Sequence, residues 1–494
     1  MSHATFEPSL THEGNSTEGN RSRFSLYLGL ELLFAFGVAV SGLGRPSLWL
    51  DEAYSVDFTS GSWSDLFGVI AEREAMHGFY YVLLKGWSSV AGTSEIAVRL
   101  PSVVFFLAAV GAIAILGRLL FSDRVGLIAG VLLTVNPFLL VFAREARSYA
   151  MVTALVTIAT VAFVHLVLSD RPDRPDLAVL LAYTIVGTFA VYTHAWAIFV
   201  LVVHAGTLFL VDDFRRMARW FVGSWAIMAA LAAPLLYFLV FVSTDQVTWI
   251  PAVGPTAFVH HFKRHTGGWI LMVVFLALIA IAFSRYAFGD RKDMSRWRIA
   301  MVAAWVVVPP VLTFLVSLAV PLFLSRYLIV ALPGLVLLAS VGVDALKPVW
   351  LGIGAIAVVV SLSMVKNAEA YTSSIEDWRG AVSFIMGESV SDDLIVFYSP
   401  DVSVPYRYYE RRTAGGEVPA ILIYDTSVLG DSDATATALV DMVETAGDRR
   451  VWVVLSHDLG GRGPTIEENL ASFRPVVMRR EFEGSIRVVL LETP

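Results

Sequence analysis

Hydrophobic residues in this chain come in long blocks separated by short polar connections. Mostly apolar blocks lie near 24–43, 100–117, 125–143, 150–168, 177–193, 196–211, 220–243, 268–285, 299–320, 327–345 and 349–366. A helix needs about 20 such residues to cross a bilayer, with roughly 17 as the lower limit. The eleven blocks therefore predict eleven spanning helices. Two stretches need separate treatment. Phe79–Ala91 is apolar over only thirteen residues and contains Lys85, so it predicts a helix lying in the membrane surface. The run 177–211 is 35 residues long, too long for one upright helix. It divides at Tyr192-Thr193-His194-Ala195-Trp196 into two short spans with a tight turn.

Charge orients these spans. Cytoplasmic connections carry an excess of Lys and Arg. With the N-terminus in the cytoplasm, the inner loops hold Arg118, Arg124, Arg171, Arg174, Arg215, Arg216, Arg219, Arg285, Arg291, Lys292, Arg296 and Arg298. The short outer connections hold only Arg144, Arg147, Lys263, Arg264 and Arg326. Counting Phe79–Ala91 as a span, or leaving 177–211 whole, puts several basic loops outside. This topology places a first outer loop, 44–99, on the outer face. Arg144–Tyr149, His194, the loop 244–266 and Arg326-Tyr327 fall on the same face.

Past residue 366 the pattern changes, with more charge and shorter apolar runs. Helices are predicted at 376–387, 404–411 and 435–446, and strands at 394–398, 420–424, 451–455, 476–480 and 486–491. Strands alternating with helices predict an α/β domain over 367–494 with a largely parallel sheet, outside the cell. It contains no G-x-G-x-x-G and no P-loop. At the other end, residues 1–23 precede the first apolar block, and the Ser-, Thr-, Asn- and Glu-rich stretch 1–20 predicts a disordered cytoplasmic terminus. The first span lacks a clear small-residue cleavage site and reads as uncleaved.

Composition narrows the class further. Of 494 residues 56% are hydrophobic, and mean hydropathy is +0.67. Soluble domains are about 45–50% apolar, so the chain is a polytopic α-helical membrane protein. Its net charge of −7 argues against a nucleic-acid partner. The absence of cysteine excludes disulfides, thiolate catalysis and cysteine–metal sites.

The candidate chemistry begins at Asp51 and Glu52, adjacent carboxylates where the first span emerges into water. Ionisable groups at such places are costly and often functional, although two acids in a wet loop is the plain alternative. Group transfer to a hydroxyl needs a base for its proton and cations for a phosphate leaving group. Asp51 or Glu52 meets the first need. Arg144, Arg147, Arg326, Lys263, Arg264, His260, His261 and His194 meet the second, with guanidinium best suited to phosphate. Basic residues at span ends also simply reach for lipid headgroups. Glu145 reads as a partner of its flanking arginines, and Trp49, Tyr54, Trp63 and Trp87 as interfacial aromatics. His260–His265 fixes no three- or four-ligand geometry, so no metal site is assigned.

Leu48-Trp49-Leu50-Asp51-Glu52-Ala53-Tyr54-Ser55 resembles the Asp-Glu motif in the first outer loop of GT-C glycosyltransferases. His77-Gly78-Phe79-Tyr80-Tyr81 is similar to a His-Pro-Pro-x-Tyr-Tyr segment of the glycosyltransferase family 39-like branch, with Gly78 and Phe79 in place of the prolines. Gly92–Glu95 with Arg99–Ser102, Asn136-Pro137 with Ala143–Ala150, and Ser325-Arg326-Tyr327-Leu328 with Pro333 continue the likeness, which covers about 45–345. The resemblance implies an inverting enzyme that takes sugar from a polyprenyl-phosphate donor in a prokaryotic plasma membrane. Its acceptor would be an envelope glycan, a glycolipid or a protein. It implies Asp51 as base and Glu52 as its support. Arg326 is the implied donor-phosphate ligand, with His77, Arg144, Arg147, Tyr149 and Tyr327 in the substrate region. The family's second acid is missing where Tyr149 stands. No cofactor is implied, and the acids are too few for a hard-cation site. A transporter or flippase of lipid-linked sugars is the alternative, but it should show internal repeats and broken spans at the midplane. A scaffold presenting the tail would leave the outer-face arginines unexplained.

Overall fold

The computed structural model describes residues 12–169, 174–211, 214–241, 250–288, 293–372, 374–398, 400–413, 419–422, 432–457 and 463–492. Arg171, Arg291, Lys292, residues 244–249 of the expected outer loop and 423–424 of an expected strand lie outside them. The chain forms two compact units. The first comprises Met1–Ser41, Leu66–Leu84 and Arg99–Asn367; the second comprises Gly42–Asp65, Lys85–Val98 and Ala368–Pro494. The tail's unit thus takes in much of the loop grouped above with the membrane region.

The first unit is helical. Among the described residues, seven helices are long and apolar enough to cross a membrane: Ser22–Val40, Glu95–Leu120, Tyr149–Val167, Phe214–Phe241, Arg296–Ser317, Tyr327–Ala345 and Val349–Ala368. Two bent pairs, Asp123–Thr134 with Pro137–Ala143 and Ala257–Thr266 with Trp269–Arg285, raise the number to nine. The shorter apolar helices Leu177–Thr193 and Ala197–Leu208 account for the remaining two predicted blocks. The first helix begins at His12, inside the stretch expected to lack structure.

The bends have local causes. Asn136 accepts a hydrogen bond from the Leu139 N–H and caps the helix Pro137–Ala143, whose first residue is proline. Proline lacks the N–H that would continue the preceding helix, and the axes turn by 66°. In the other pair, Gly267 (φ +91°) and Gly268 (φ +145°) take backbone conformations that side chains rarely adopt. Their N–H groups return to the Arg264 and Lys263 carbonyls, closing a Schellman turn before a 92° bend. The two breaks interlock. A Cβ on Gly267 would strike the Pro137 ring, and the Asn136 side-chain amide donates to the His265 carbonyl at 2.9 Å. Ala257–Thr266, expected as loop, is therefore helical. It buries His261 and His265 one turn apart, with ring centroids 4.0 Å from each other. Close helix contact recurs at Gly342, where a Cβ would overlap the Leu278 backbone, as small residues permit in membrane interfaces.

The second unit is built on a five-stranded sheet: β1 (Leu394–Tyr398), β2 (Ala420–Leu422), β3 (Val451–Leu455), β4 (Val476–Phe482) and β5 (Ile486–Leu491), in the order β2-β1-β3-β5-β4. β1 pairs in parallel with β2 and β3, but β5 runs antiparallel to both β3 and β4. The sheet is mixed, correcting the largely parallel expectation. A tight turn through Gly484 (φ +81°) and Ser485 (φ +59°) leaves β5 no room to cross over before pairing with β4. Leu394, Val396, Val451 and Val453 pack against Leu439, Val443, Ile466 and Leu470 of the helices Ser432–Thr445 and Gly463–Phe473. The other face meets Trp378–Glu388 and Ser403–Glu410 through Phe384–Trp452 and Phe397–Tyr406 ring contacts.

Candidate active site

Each unit holds part of the predicted chemistry. In the membrane unit, His77 ends a short helical turn, Ala75–His77, and is buried. Its Nδ1 lies 2.9 Å from the Ser148 hydroxyl. Its ring meets those of His194 (5.3 Å between centroids), Tyr149 (6.2 Å) and Tyr81 (6.3 Å). His194 also meets Tyr327 at 5.1 Å, and the Trp196 ring lies tilted against Tyr327 at 4.8 Å. The buried Arg147 donates to the Tyr81 hydroxyl at 3.1 Å, and that hydroxyl donates to Glu74. Ser102 donates to the Arg147 carbonyl, fixing the turn that carries the arginine. Arg326 lies over the Tyr327 ring. Burial, and then the charges of Arg147, His194 and Arg326, hold His77 well below the usual histidine range despite a Thr193 backbone hydrogen bond. His77 is thus a neutral hydrogen-bonding group beside fixed cations.

His77, Arg147, Tyr149, His194 and Tyr327 therefore come together, with Arg326 close enough to act on His77. Arg144, Lys263 and Arg264 are placed differently. Arg144 donates to the Ser41 carbonyl at 2.9 Å. Lys263 sits over the Trp269 ring at 4.8 Å, and Arg264 is exposed. Tyr81 and Ser148 join the cluster, although their residue types alone carried no signal beyond the motifs containing them.

In the second unit, Asp51 and Glu52 occupy the first turn of the helix Leu50–Ser60. Consecutive helical residues point about 100° apart, and here the two carboxylates separate: Glu52 is fully buried while Asp51 is half-buried. Trp49, at the cap position, supplies no side-chain acceptor. The open end is met from the tail instead. The Leu50 N–H donates to Glu376 Oε2 at 3.0 Å, and the Leu48 N–H to the Tyr409 hydroxyl at 2.7 Å. Ser47 donates to Asp377, and the Tyr54 hydroxyl donates to Asp401 at 2.6 Å. The buried Glu376 also accepts from Trp378 Nε1 and lies 3.2 Å from His457 Nε2. Burial alone would lower the His457 value. The Glu376 hydrogen bond, with the charges of Glu376, Asp51 and Asp401, outweighs it and raises the group above the usual histidine range. In the sequence, Glu376-Asp377-Trp378-Arg379 reads simply as a helix opening. Of these, Asp377 does cap its helix, at the Gly380 N–H. Among the described residues, no group of three or more acids and histidines is arranged to hold a metal ion.

Residues 79–244 match the family model described as dolichyl-phosphate-mannose-protein mannosyltransferase. No curated protein matches the chain significantly. Among solved structures, apo ArnT from Cupriavidus metallidurans aligns with a TM-score of 0.63 at 15% identity, covering 94% of this chain and 98% of that one. The same protein solved with undecaprenyl phosphate gives 0.61 at 14% identity over 94% and 98%. An oligosaccharyltransferase from Archaeoglobus fulgidus gives 0.58 at 11% identity, over 89% of this chain and 69% of its own. The fold is shared across these proteins. Residues 79–244 are thus similar to that mannosyltransferase family, and the chain as a whole shares the fold of these membrane transferases.

Proposed function

We propose that the protein transfers a sugar from a polyprenyl-phosphate donor to a hydroxyl of an envelope glycan, lipid or protein, with inversion and with Asp51 as general base. The observation that carries this reading is the separation of the adjacent carboxylates, which leaves Asp51 accessible and Glu52 buried. In the reaction the acceptor oxygen bonds to the anomeric carbon as its proton passes to Asp51. The bond from that carbon to the phosphate oxygen breaks, and polyprenyl phosphate leaves. Arg147 and Arg326 balance the charge gathering on the phosphate, and neutral His77 and Tyr149 orient the sugar. The undecaprenyl phosphate bound to the structurally similar ArnT supports a lipid-linked donor. No metal is required in this scheme, so transfer should survive a chelator.

The test is transfer from radiolabelled polyprenyl-phosphate sugars by purified protein into a membrane extract, wild type beside Asp51→Asn. Loss of a general base costs about 10²–10⁴-fold; equal transfer by both proteins would remove Asp51 from the mechanism. The proposed topology puts the tail outside the cell and the N-terminus inside. Since the chain has no cysteine, a single one placed at the exposed Ser472 should react with an impermeant maleimide on intact cells. Labelling only after lysis would reverse the orientation.

The interlocked breaks favour a second reading, a flippase of lipid-linked sugars. Against it, their backbone groups are already satisfied within the protein, at Asn136 and in the Gly267-Gly268 turn. Lipid-linked sugar crossing reconstituted vesicles, without transfer from any donor, would establish the flippase.

A further inference from the structure

The helix that presents Asp51 is not completed by its own sequence. Helix N-termini expose N–H groups without intrahelical partners, normally met by Ser, Thr, Asp or Asn at the cap. Trp49 cannot do this, and the partner of the Leu50 N–H is Glu376, 326 residues further along the chain. Glu376 is itself fixed from two further sides. Trp378 Nε1 donates to the same oxygen at 2.6 Å, and His457 Nε2 lies 3.2 Å from the other. A Cβ on Gly484 would overlap the Glu376 backbone, so the segment is also held by the β4–β5 turn.

His457 has a backbone conformation in keeping with a positioned group. Its φ is +56°, in the left-handed region that a non-glycine residue keeps only where its surroundings demand it. The groups acting on its ring are Glu376 from the start of the tail, Asp51 from the helix Leu50–Ser60, Asp401 from the turn after β1, and the neighbouring Ser456 hydroxyl at 3.2 Å from Nδ1. Asp401 is in turn held by the Tyr54 hydroxyl, from the helix that carries Asp51. The imidazole thus pairs with Glu376 and feels the charges of Asp51 and Asp401.

We propose that Glu376 and His457 of the tail are positioning residues for Asp51. Glu376 fixes the first helical turn through the Leu50 N–H, and His457 supplies the positive charge that its neighbouring carboxylates share. This rests on the reading of Asp51 as base. It gives the α/β tail a part in catalysis, without contact with substrate.

The experiment uses the purified full chain and whichever undecaprenyl-phosphate sugar the wild type transfers, with Asp51→Asn as reference. Glu376→Ala is expected to lower kcat about tenfold, with KM for the donor within about twofold, since the lost contact orders the base and not the substrate. Hydrogen exchange in a peptide covering 48–56 should quicken in the same variant. His457→Gln should move the acidic limb of the kcat profile upward by about half a pH unit, because a cation beside a carboxylate favours its charged form. His457→Lys should restore that limb, which a purely structural role for the imidazole would not predict. If Glu376→Ala does not fold, the His457 pair decides alone. Transfer by Asp51→Asn at the wild-type rate would overturn the base assignment. An inactive Asp51→Asn beside a His457→Gln profile that superimposes on wild type would overturn only the positioning role of the tail.

Discussion

The two units handle charge in opposite ways. In the membrane unit, the buried Arg147 is held by a phenol and a short turn, in a cluster with buried imidazoles and aromatic rings. Such surroundings strengthen electrostatic attraction to an incoming phosphate, and they keep His77 neutral beside the cations. In the second unit the charges are carboxylates at the end of a helix, and Asp51 keeps partial access to solvent. Under the proposed function, the base gains from access to the acceptor hydroxyl, whereas a site for a phosphate gains from enclosure.

This contrast is sharpest at the proposed base: Asp51→Asn should reduce transfer about 10²–10⁴-fold, while thermal stability stays near that of wild type. Arg147→Lys comes next. It keeps the charge but loses the planar fork, so donor KM should rise about tenfold. An unchanged KM would transfer the phosphate role to Arg326. A smaller effect concerns pH. The raised His457 value means that its pairing stabilises the fold fully below about pH 6.5, the unfolded value, and is lost as pH climbs through the folded value. Melting temperature should therefore fall as pH rises above about 6.5, and His457→Gln should flatten that slope. A slope unaltered in the variant would place the titrating group elsewhere. Smallest of all is Lys263→Ala. With its half-buried ammonium over the Trp269 ring, its loss should change transfer by less than about fivefold, the scale of a cation–π contact near the surface. A tenfold loss would return Lys263 to the donor site.

Much of the membrane unit was legible because a 20-residue apolar block has one physical outcome. The tail strands at 394–398, 451–455 and 486–491 were equally plain from their β-branched runs. The breaks were harder. Asn136-Pro137 and Gly267-Gly268 were visible, but apolar residues continue past the first pair, and a cationic run hides the helix before the second. Gly463–Phe473 was missed because it opens Gly-Pro-Thr and carries two glutamates, so few of its residues show the apolar face. Of the candidate site, the Asp51–Glu52 motif and the clustering of Arg147, His194 and Tyr327 follow from motif and expected topology. Glu376 and His457 do not. Their significance lies in hydrogen bonds to a helix hundreds of residues away, which leave no periodic trace in the sequence around them.

The cap that Glu376 places on the Leu50 N–H also sets a schedule for the newborn chain. Leu50 leaves the ribosome 326 residues ahead of its partner. At synthesis rates of about 5–20 residues per second, that is a wait of roughly 15 to 65 seconds. During that interval the membrane helices can insert and meet lipid, while the Asp51 helix still lacks its cap. A ribosome that stops before the tail is made leaves behind a protein able to reach the bilayer, but with no cap on the helix that carries the proposed base Asp51. If the tail positions Asp51 as proposed, truncated chains should be quiet occupants of the membrane.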